Sequence, residues 1–398
     1  MKLASKYKCT GCLACADSCH KNAITSYVAD DGHFYVRIDD DVCVNCGKCE
    51  KVCPVVSGFR YRKQEPSRLY AAWNTNREQR MKSTSGGAFS ALATRVLADG
   101  GLVVGVAMKE SQAYHCVVDD VCELYKLQGS KYQQSDTTGI YRKTRDLLKS
   151  GRLVLFQGTA CQVAGLLSFL GNKEYDNLIT VDIICGGVPS KLLVDKFKIL
   201  SPQSEIVSYR DKIDGWGDCN LTIYNNSEHI RNPRHGELVL DGFKGGLTDR
   251  YSCMDCQYNG MYRKADVTIA DFWGDTHFKA QHHDGLSLVV CHTQKGLKLA
   301  EQSALEMHEA SFPEAVRKNP RMVCGKMWGA SYRLERRLLS WNFRHLPLSV
   351  LEAVYANKCD HLVYFPYKVF RYIHWRIADG KLKRSALEHV KRKLKDEN

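Results

Sequence analysis

The sequence predicts a small α+β module, then a larger α/β domain with a mostly parallel or mixed sheet, and finally a helical C-terminal extension. Three observations carry that prediction. The spacing C-x2-C-x2-C-x3-C occurs at Cys9, Cys12, Cys15 and Cys19 and recurs at Cys43, Cys46, Cys49 and Cys53. Between residues 152 and 187 an apolar strand, a tight glycine loop, a helix and a second apolar strand follow one another. From Gln294 onward the pattern looks helical, punctuated by Pro313, Pro320, Pro347 and Pro366.

The first element is the cysteine stretch. Thiolates are soft ligands, and a 4Fe–4S cube needs four of them from tightly turning backbone. At this spacing each run gives three ligands to its own cube and its fourth to the other. Cys9, Cys12, Cys15 and Cys53 are therefore expected to hold one cluster, and Cys43, Cys46, Cys49 and Cys19 a second. A zinc module or a disulfide framework is the competing reading, and two copies at this spacing weigh against both. Ala23–Val28 and His33–Ile38 read as strands around the turn Asp30-Asp31-Gly32, completing a module over residues 1–58. The stretch resembles a bacterial two-cluster ferredoxin. It departs from that pattern at His20, which follows Cys19 where proline is usual; a change in turn or potential is implied there, with no ligand lost. Residues 59–66, polar and closing on Pro66, read as a linker.

The chain of 398 residues suits two or three domains, and its 44% apolar and 25% charged residues are those of a globular protein. No run approaches the roughly eighteen apolar residues of a membrane span. The polar start leaves no room for a signal peptide, and iron–sulfur use of eight among 18 cysteines demands a reducing compartment. Cytoplasm is the expectation. The net charge of +13 concentrates in the tail, at Lys381, Lys383, Arg384, Lys391, Arg392, Lys393 and Lys395. Such a run reads first as a solvated helix face. It also suits an acidic redox partner or peripheral contact with an anionic membrane. No nucleic-acid module is present, and no nucleic-acid partner is expected.

The larger domain opens with a strand at Leu69–Trp73. Ser83-Thr84-Ser85-Gly86-Gly87 then precedes a helix over Ala88–Ala98, so free backbone N–H groups could meet an anion there, or the loop could be an ordinary cap. Strands follow at Leu102–Met108 and His115–Val118, then a polar loop, Gln128-Gly129-Ser130-Lys131-Tyr132. The crossover comprises strand Arg152–Phe156, loop Gly158-Thr159-Ala160-Cys161, helix Gln162–Leu170, and strand Leu178–Ile184 ending at Cys185-Gly186-Gly187. Strands at Asp266–Ala270 and Leu286–Cys291 complete the set. Both crossover loops lie at C-terminal strand ends, where open α/β sheets bind ligands. Cys161 and Cys185 sit in them, and Cys253-x2-Cys256 follows in a polar loop. A third 4Fe–4S cluster, a zinc site and four unliganded thiols all remain open on spacing alone.

Several motifs occur in order: Ser83–Gly87, Gly129–Tyr132, Gly158–Gly165, Cys185–Ser190, Tyr209–Lys212, Gly215-Trp216, Cys253-x2-Cys256 and Ala265-Asp266 to Asp271. This series, over residues 67–305, resembles the beta subunit of coenzyme F420-reducing hydrogenase and F420H2 dehydrogenase, a family that includes 7-hydroxymethyl chlorophyll a reductase. Ala160 departs from it, standing where proline is usual. The resemblance implies an α/β flavoprotein with FAD beside a 4Fe–4S cluster. It makes Cys161, Cys185, Cys253 and Cys256 the third cluster's ligands, and Thr84, Ser85, Gly86 and Gly87 the FAD cradle. Ser130 and Lys131 become flavin or substrate contacts, with Lys131, Tyr132 and Asp271 the catalytic candidates. It further implies electron exchange with a ferredoxin or hydrogenase-like subunit, and hydride transfer to or from coenzyme F420 or another small organic substrate. The alternatives are a non-catalytic electron-transfer subunit of a larger complex and a ferredoxin-dependent reductase in polysaccharide synthesis. Residues 306–398 read as a basic helical extension.

Overall fold

A computed structural model of the protein describes residues 3–58, 67–218, 220–260, 263–323 and 330–355. The predicted linker and the basic tail lie outside the described residues. In the N-terminal module each cysteine run closes into one helical turn, α1 (Ala14–Ser18) before the hairpin of β1 (Ile24–Val28) and β2 (Phe34–Ile38), and α2 (Lys48–Val52) after it. The backbone enters both helices left-handed, at Leu13 (φ 60) and Gly47 (φ 72). The hairpin pairs Ile24 with Ile38 and Val28 with Phe34.

The second domain runs β3 (Arg68–Asn74), α3 (Arg77–Lys82), α4 (Ala88–Ala98), β4 (Leu102–Lys109), β5 (Gln112–Val118), α5 (Ile140–Lys149), β6 (Val154–Thr159), α6 (Ala160–Phe169) and β7 (Leu178–Ile183). It continues through α7 (Leu192–Leu200), β8 (Glu205–Ser208), β9 (Thr222–Asn225), β10 (Glu228–Arg231), α8 (Gly236–Gly245), β11 (Val267–Asp271), β12 (Ser287–Cys291) and α9 (Gln294–Gln302). The described chain ends with β13 (Leu305–Glu309), α10 (Phe312–Arg317), α11 (Ala330–His345) and α12 (Leu348–Tyr355). The main sheet has the order β13-β3-β12-β11-β7-β6-β4-β5, and β8, β9 and β10 form a small antiparallel sheet of their own.

The sheet is mixed. Strands β4, β6, β7 and β11 run parallel, while β12 is antiparallel to both β11 and β3. The C-terminal ends of β3, β11, β7, β6 and β4 therefore share one edge. The strands are Val/Leu/Ile-rich because both faces are covered. On one face Leu92, Val96, Leu297 and Ala300 pack over Val103, Leu155, Val181 and Val289. On the other, Tyr141, Val163 and Leu166 pack over Val104, Val154 and Phe156, together with Cys12 and Ala14 of the N-terminal module.

Residues 305–309 differ from the helical expectation. Leu305-Glu306-Met307-His308-Glu309 has helix-forming composition, yet it pairs with β3 from Leu305↔Asn74 to Glu309↔Tyr70. Pairing with an otherwise open sheet edge outweighs a preference worth tenths of a kcal/mol per residue. The sheet thus runs past residue 305, where the second domain was expected to end.

The module is fastened to the second domain through the start of α5. Gly139 (φ 78) offers no side chain to cap that helix; instead Asp17 accepts from Gly139 N at 2.7 Å and Tyr141 N at 3.0 Å. Arg142 Nη2 donates to the carbonyls of Ala16 (3.0 Å) and Cys19 (3.1 Å), and Thr137 Oγ1 to that of Cys12 (2.8 Å). Asp17→Ala should therefore cost about 1–2 kcal/mol, the value of a lost cap, and Asp17→Asn should recover only part of it, because Gly139 N and Tyr141 N bond different carboxylate oxygens and the amide NH2 would face one of them. Urea midpoints of the unsubstituted chain and the two variants measure this; an Asp17→Ala midpoint equal to that of the unsubstituted chain would mean the cap contributes nothing.

Candidate metal and cofactor site

The cysteines fall into three groups. In the first, burial pushes the Cys12 thiol up to about 11, and the nearby Cys53 and Cys9 add to that shift. Cys15 is raised by burial and then by Cys12, Cys9 and Cys53, and Cys53 by burial and by Cys9. The shifts of Cys12, Cys15 and Cys53 thus place these three thiols and Cys9 side by side, a thiol set of the kind that a metal centre's positive charge would stabilise. The second group, Cys19, Cys43, Cys46 and Cys49, lines one hollow together with His20, Lys21, Ile24 and Ile38. Each run's fourth cysteine thus lies with the other run's first three. The second group faces outward: Cys46 is exposed, as is Val44.

The third group forms at the shared strand edge. Cys161 opens α6 directly after β6, held by a capping box in which Thr159 and Gln162 satisfy each other's backbone. Thr159 Oγ1 lies 3.2 Å from Cys161 Sγ. Cys185 follows β7, and Gly187 N donates to its sulfur at 3.4 Å. Burial raises the Cys161 thiol, with Cys256, Cys185 and also Cys12 adding. Cys253 is raised by burial, Asp249, Cys185, Cys256 and Cys161. These four are neighbours. Among the described residues no three His, Cys, Asp or Glu side chains are placed to hold a single metal ion.

The first and third groups adjoin. A Cβ on Gly165 of α6 would lie 3.0 Å from Cys12 Sγ, and buried Tyr258 is influenced by Cys12, Cys161 and Cys53 together. The groups therefore follow one another from exposed Cys46, through the Cys9 group, to the sheet edge.

The predicted flavin loop sits farther along that edge. Gly86 wedges between β3 and β12, where a Cβ would meet Ala72 O and Ser287 N at 2.6 Å. Close packing accounts for that glycine. Gly87 (φ 83) precedes α4 without a side-chain cap, which leaves the first N–H groups of an eleven-residue helix open to an anion. The loop hydroxyls are engaged within the protein: Thr84 Oγ1 accepts from Ser130 N at 2.7 Å, and Ser85 Oγ donates to Leu286 O at 2.8 Å. The Thr84 and Ser130 loops are thereby joined, as one ligand site would need. Strands β12, β11 and β7 separate Gly86 from Cys161, roughly 17 Å at the usual strand spacing.

The remaining candidates are also placed. Lys131 Nζ donates to Gln128 O at 2.7 Å, and burial pushes its pKa down to about 7. Tyr132 stacks on Phe243 (4.3 Å between ring centres) and meets Tyr209 edge-on, so its ring packs within the protein. Both carboxylate oxygens of Asp271 are taken, by Arg210 Nη1 and Trp216 Nε1 at 2.8 Å each.

Sequence reasoning missed the buried cations around these loops. Lys212 donates to the carbonyls of Ser85 (2.7 Å), Asp284 (2.6 Å) and Arg80, tying the Ser83–Gly87 loop to its neighbour. Burial pushes its pKa down to about 7, while three carbonyl acceptors favour the charged form. Arg80 bonds Gly285 O and Gln281 from the same side. Lys212 stands in a motif already singled out, but nothing in its spacing reveals burial.

Two buried histidines set an acid limit. Burial lowers His292 to about 3 and His115 to about 4 from 6.5. Both take up protons on unfolding below pH ~6.5, so they contribute stability above that value that is lost as pH falls toward their folded pKa values. A lower melting temperature at pH ~5.5 than at ~7.5 is expected, with a shallower slope in His292→Gln; equal slopes would count against His292.

The chain matches family models described as 4Fe-4S dicluster domain over residues 8–56 and again over 35–85. Two further models describe the N-terminal and C-terminal parts of the coenzyme F420 hydrogenase/dehydrogenase beta subunit; the first matches residues 69–140 and the second 151–314. No curated protein matches it. Among solved structures it is similar to a chain of the xenon-derivatised F420-reducing NiFe hydrogenase complex from Methanosarcina barkeri, with 17% identity and a TM-score of 0.41, covering 72% of this chain and 89% of that one. The family's N- and C-terminal regions follow one another across most of the second domain, behind the dicluster module. The chain belongs to the coenzyme F420 hydrogenase/dehydrogenase beta-subunit family and is an iron–sulfur redox protein.

Proposed function

We propose that the chain is an iron–sulfur flavoprotein oxidoreductase that exchanges hydride with coenzyme F420 or another small organic molecule. The observation that carries this reading is the contiguity of the three cysteine groups, with Cys12 beside Cys161. Cys19, Cys43, Cys46 and Cys49 would hold the outer 4Fe–4S cluster, Cys9, Cys12, Cys15 and Cys53 the inner one, and Cys161, Cys185, Cys253 and Cys256 a third. FAD would lie at the shared strand edge, its phosphates met by the open N–H groups at the start of α4. When bound, the clusters supply one-electron steps and the flavin one- or two-electron steps, which joins single-electron traffic to hydride chemistry.

The chain's own residues prepare that site. Lys212 and Arg80 hold the Thr84–Gly87 loop in place. Lys131, with a pKa near neutrality, can hold or release a proton beside the Ser130 loop. Phe156, Tyr141 and Tyr258, all buried, keep water from the Cys12–Cys161 junction. The partner is a redox protein such as a ferredoxin or a hydrogenase-like subunit, received at the outer group, whose exposed Cys46 faces solvent.

Purified without oxygen, the chain should contain about twelve iron atoms and about one FAD. Iron near eight accompanied by zinc would remove the third cluster, and absence of flavin would remove the hydride site. A pure electron-carrying subunit is the second reading, favoured by the exposure of the outer group. It holds if the flavin-loaded chain, given reduced viologen, turns over neither a deazaflavin nor any other small acceptor.

A further inference from the structure

Arg250 is fully buried, with 0% exposure. It stands in the turn before Cys253, whose N–H donates to the Arg250 carbonyl at 3.0 Å. The side chain leaves that turn and enters the N-terminal module. Its Nε donates to the Cys9 carbonyl at 2.7 Å and its Nη1 to Gln134 Oε1 at 3.0 Å. The guanidinium carbon lies 4.3 Å from the centre of the Tyr35 ring. Gly11 (φ +67) makes the room, since a Cβ there would come within 2.8 Å of Nη1.

Every one of these contacts is to a neutral group, and Nη2 has no hydrogen-bond partner among the described residues. The carboxylate of adjacent Asp249 lies against Gly187 instead. A guanidinium keeps its charge inside a protein, and a buried charge without a counter-charge costs several kcal/mol. A cation–π contact and two neutral acceptors offset only part of that. The missing negative charge has an obvious place. Cys9, to which Arg250 is bonded, belongs to the inner group of four thiolates, and an iron–sulfur cube so ligated is anionic and gains one further negative charge on reduction.

We infer that Arg250 is the built-in counter-charge of the inner cysteine group and holds the reduction potential of the cluster there above the value it would otherwise have. This rests on the reading that Cys9, Cys12, Cys15 and Cys53 ligate a cluster. One electron enters from the external reductant, no proton is required, and the nearby cation favours the more negative, reduced form. Arg250 acts on the cluster through space and through the Cys9 backbone, so it is a positioning residue.

The test is a redox titration of the anaerobically purified full chain, followed by electron paramagnetic resonance. The wave that disappears in Cys12→Ser identifies the inner cluster. Arg250→Gln should reduce the equilibrium constant for reducing that cluster about tenfold, a shift of about 59 mV to more negative potential for one electron. The wave assigned to the outer group should stay in place, and Arg250→Lys, which keeps the charge, should recover most of the shift. Gln134→Glu sets a carboxylate against Nη1 with little change of shape and should shift the same wave in the same direction. It keeps the test valid if Arg250→Gln does not fold. An inner wave unmoved in the folded variants, at full iron content, overturns the inference alone, as does a shift equally large in Arg250→Lys. A wild-type chain lacking Cys12-dependent iron overturns the reading beneath it.

Discussion

Replacing Asp182 with alanine should cost the second domain about 3–5 kcal/mol, the usual result of stripping one partner from a buried ion pair. Asp182 and Arg263 pair at 3.1 Å with side chains only 2% exposed each. Around them Thr268 Oγ1 donates to Asp182, His292 Nε2 lies 2.8 Å from Thr268 Oγ1, and Ser67 Oγ lies 2.8 Å from His292 Nδ1. Arg263 Nη1 also reaches the Ile183 carbonyl at 3.2 Å, two residues before Cys185. Loss of the carboxylate removes the counter-charge of a buried guanidinium and the acceptor of the Thr268 hydroxyl, at the strand end that carries the third cysteine group. The double change Asp182→Leu with Arg263→Met removes both charges and should cost clearly less than Asp182→Ala alone. Chemical denaturation of the three variants decides it. A single-mutant loss under about 1 kcal/mol would show that water reaches the pair.

Cys12→Ser should have the largest functional effect. Cys12 faces the third group across Gly165, so a cluster held by the inner group would link the outer group to the sheet edge. The variant should lose about four iron atoms, if one cube is lost. Its reduction through an external protein donor should fall by at least about 100-fold, more than loss of an outer-shell partner costs a metal site. Flavin content should stay unchanged, because the Thr84–Gly87 loop is held by β3, β12 and Lys212 and not by the module. Loss of flavin together with iron would contradict that division of labour. Gly86→Ala is the complementary change: its Cβ would collide with two backbone atoms, so flavin should be lost while the module's iron remains.

The module was legible in the sequence because its chemistry is local. Eight thiols at fixed short spacing restrict a tightly turning loop, and the exchange of Cys19 and Cys53 between the groups follows from that spacing. The crossover through Cys161 was legible for a related reason, since unbroken apolar strands around a glycine-bounded helix have few other uses. Strand β13 was not, because its composition favours helix and only the open edge of β3 makes it a strand. The small sheet β8-β9-β10 escaped as well, being built from four-residue strands with weak alternation. Thr84 and Ser130 were singled out separately, and the bond between them belongs to the fold.

The kind of protein was legible in the chain before folding: two cysteine runs of iron–sulfur spacing, an α/β domain behind them, and a series of motifs in family order. Tertiary structure alone decided which groups are neighbours. Cys161, Cys185, Cys253 and Cys256 come from segments far apart in the chain, and the order of strands in the sheet is what gathers them. The same folding turns Arg250, Lys212 and Arg263 from ordinary basic residues into buried cations. Spacing specifies ligands that are close in sequence, whereas charge acts through space, and only the folded chain sets those distances.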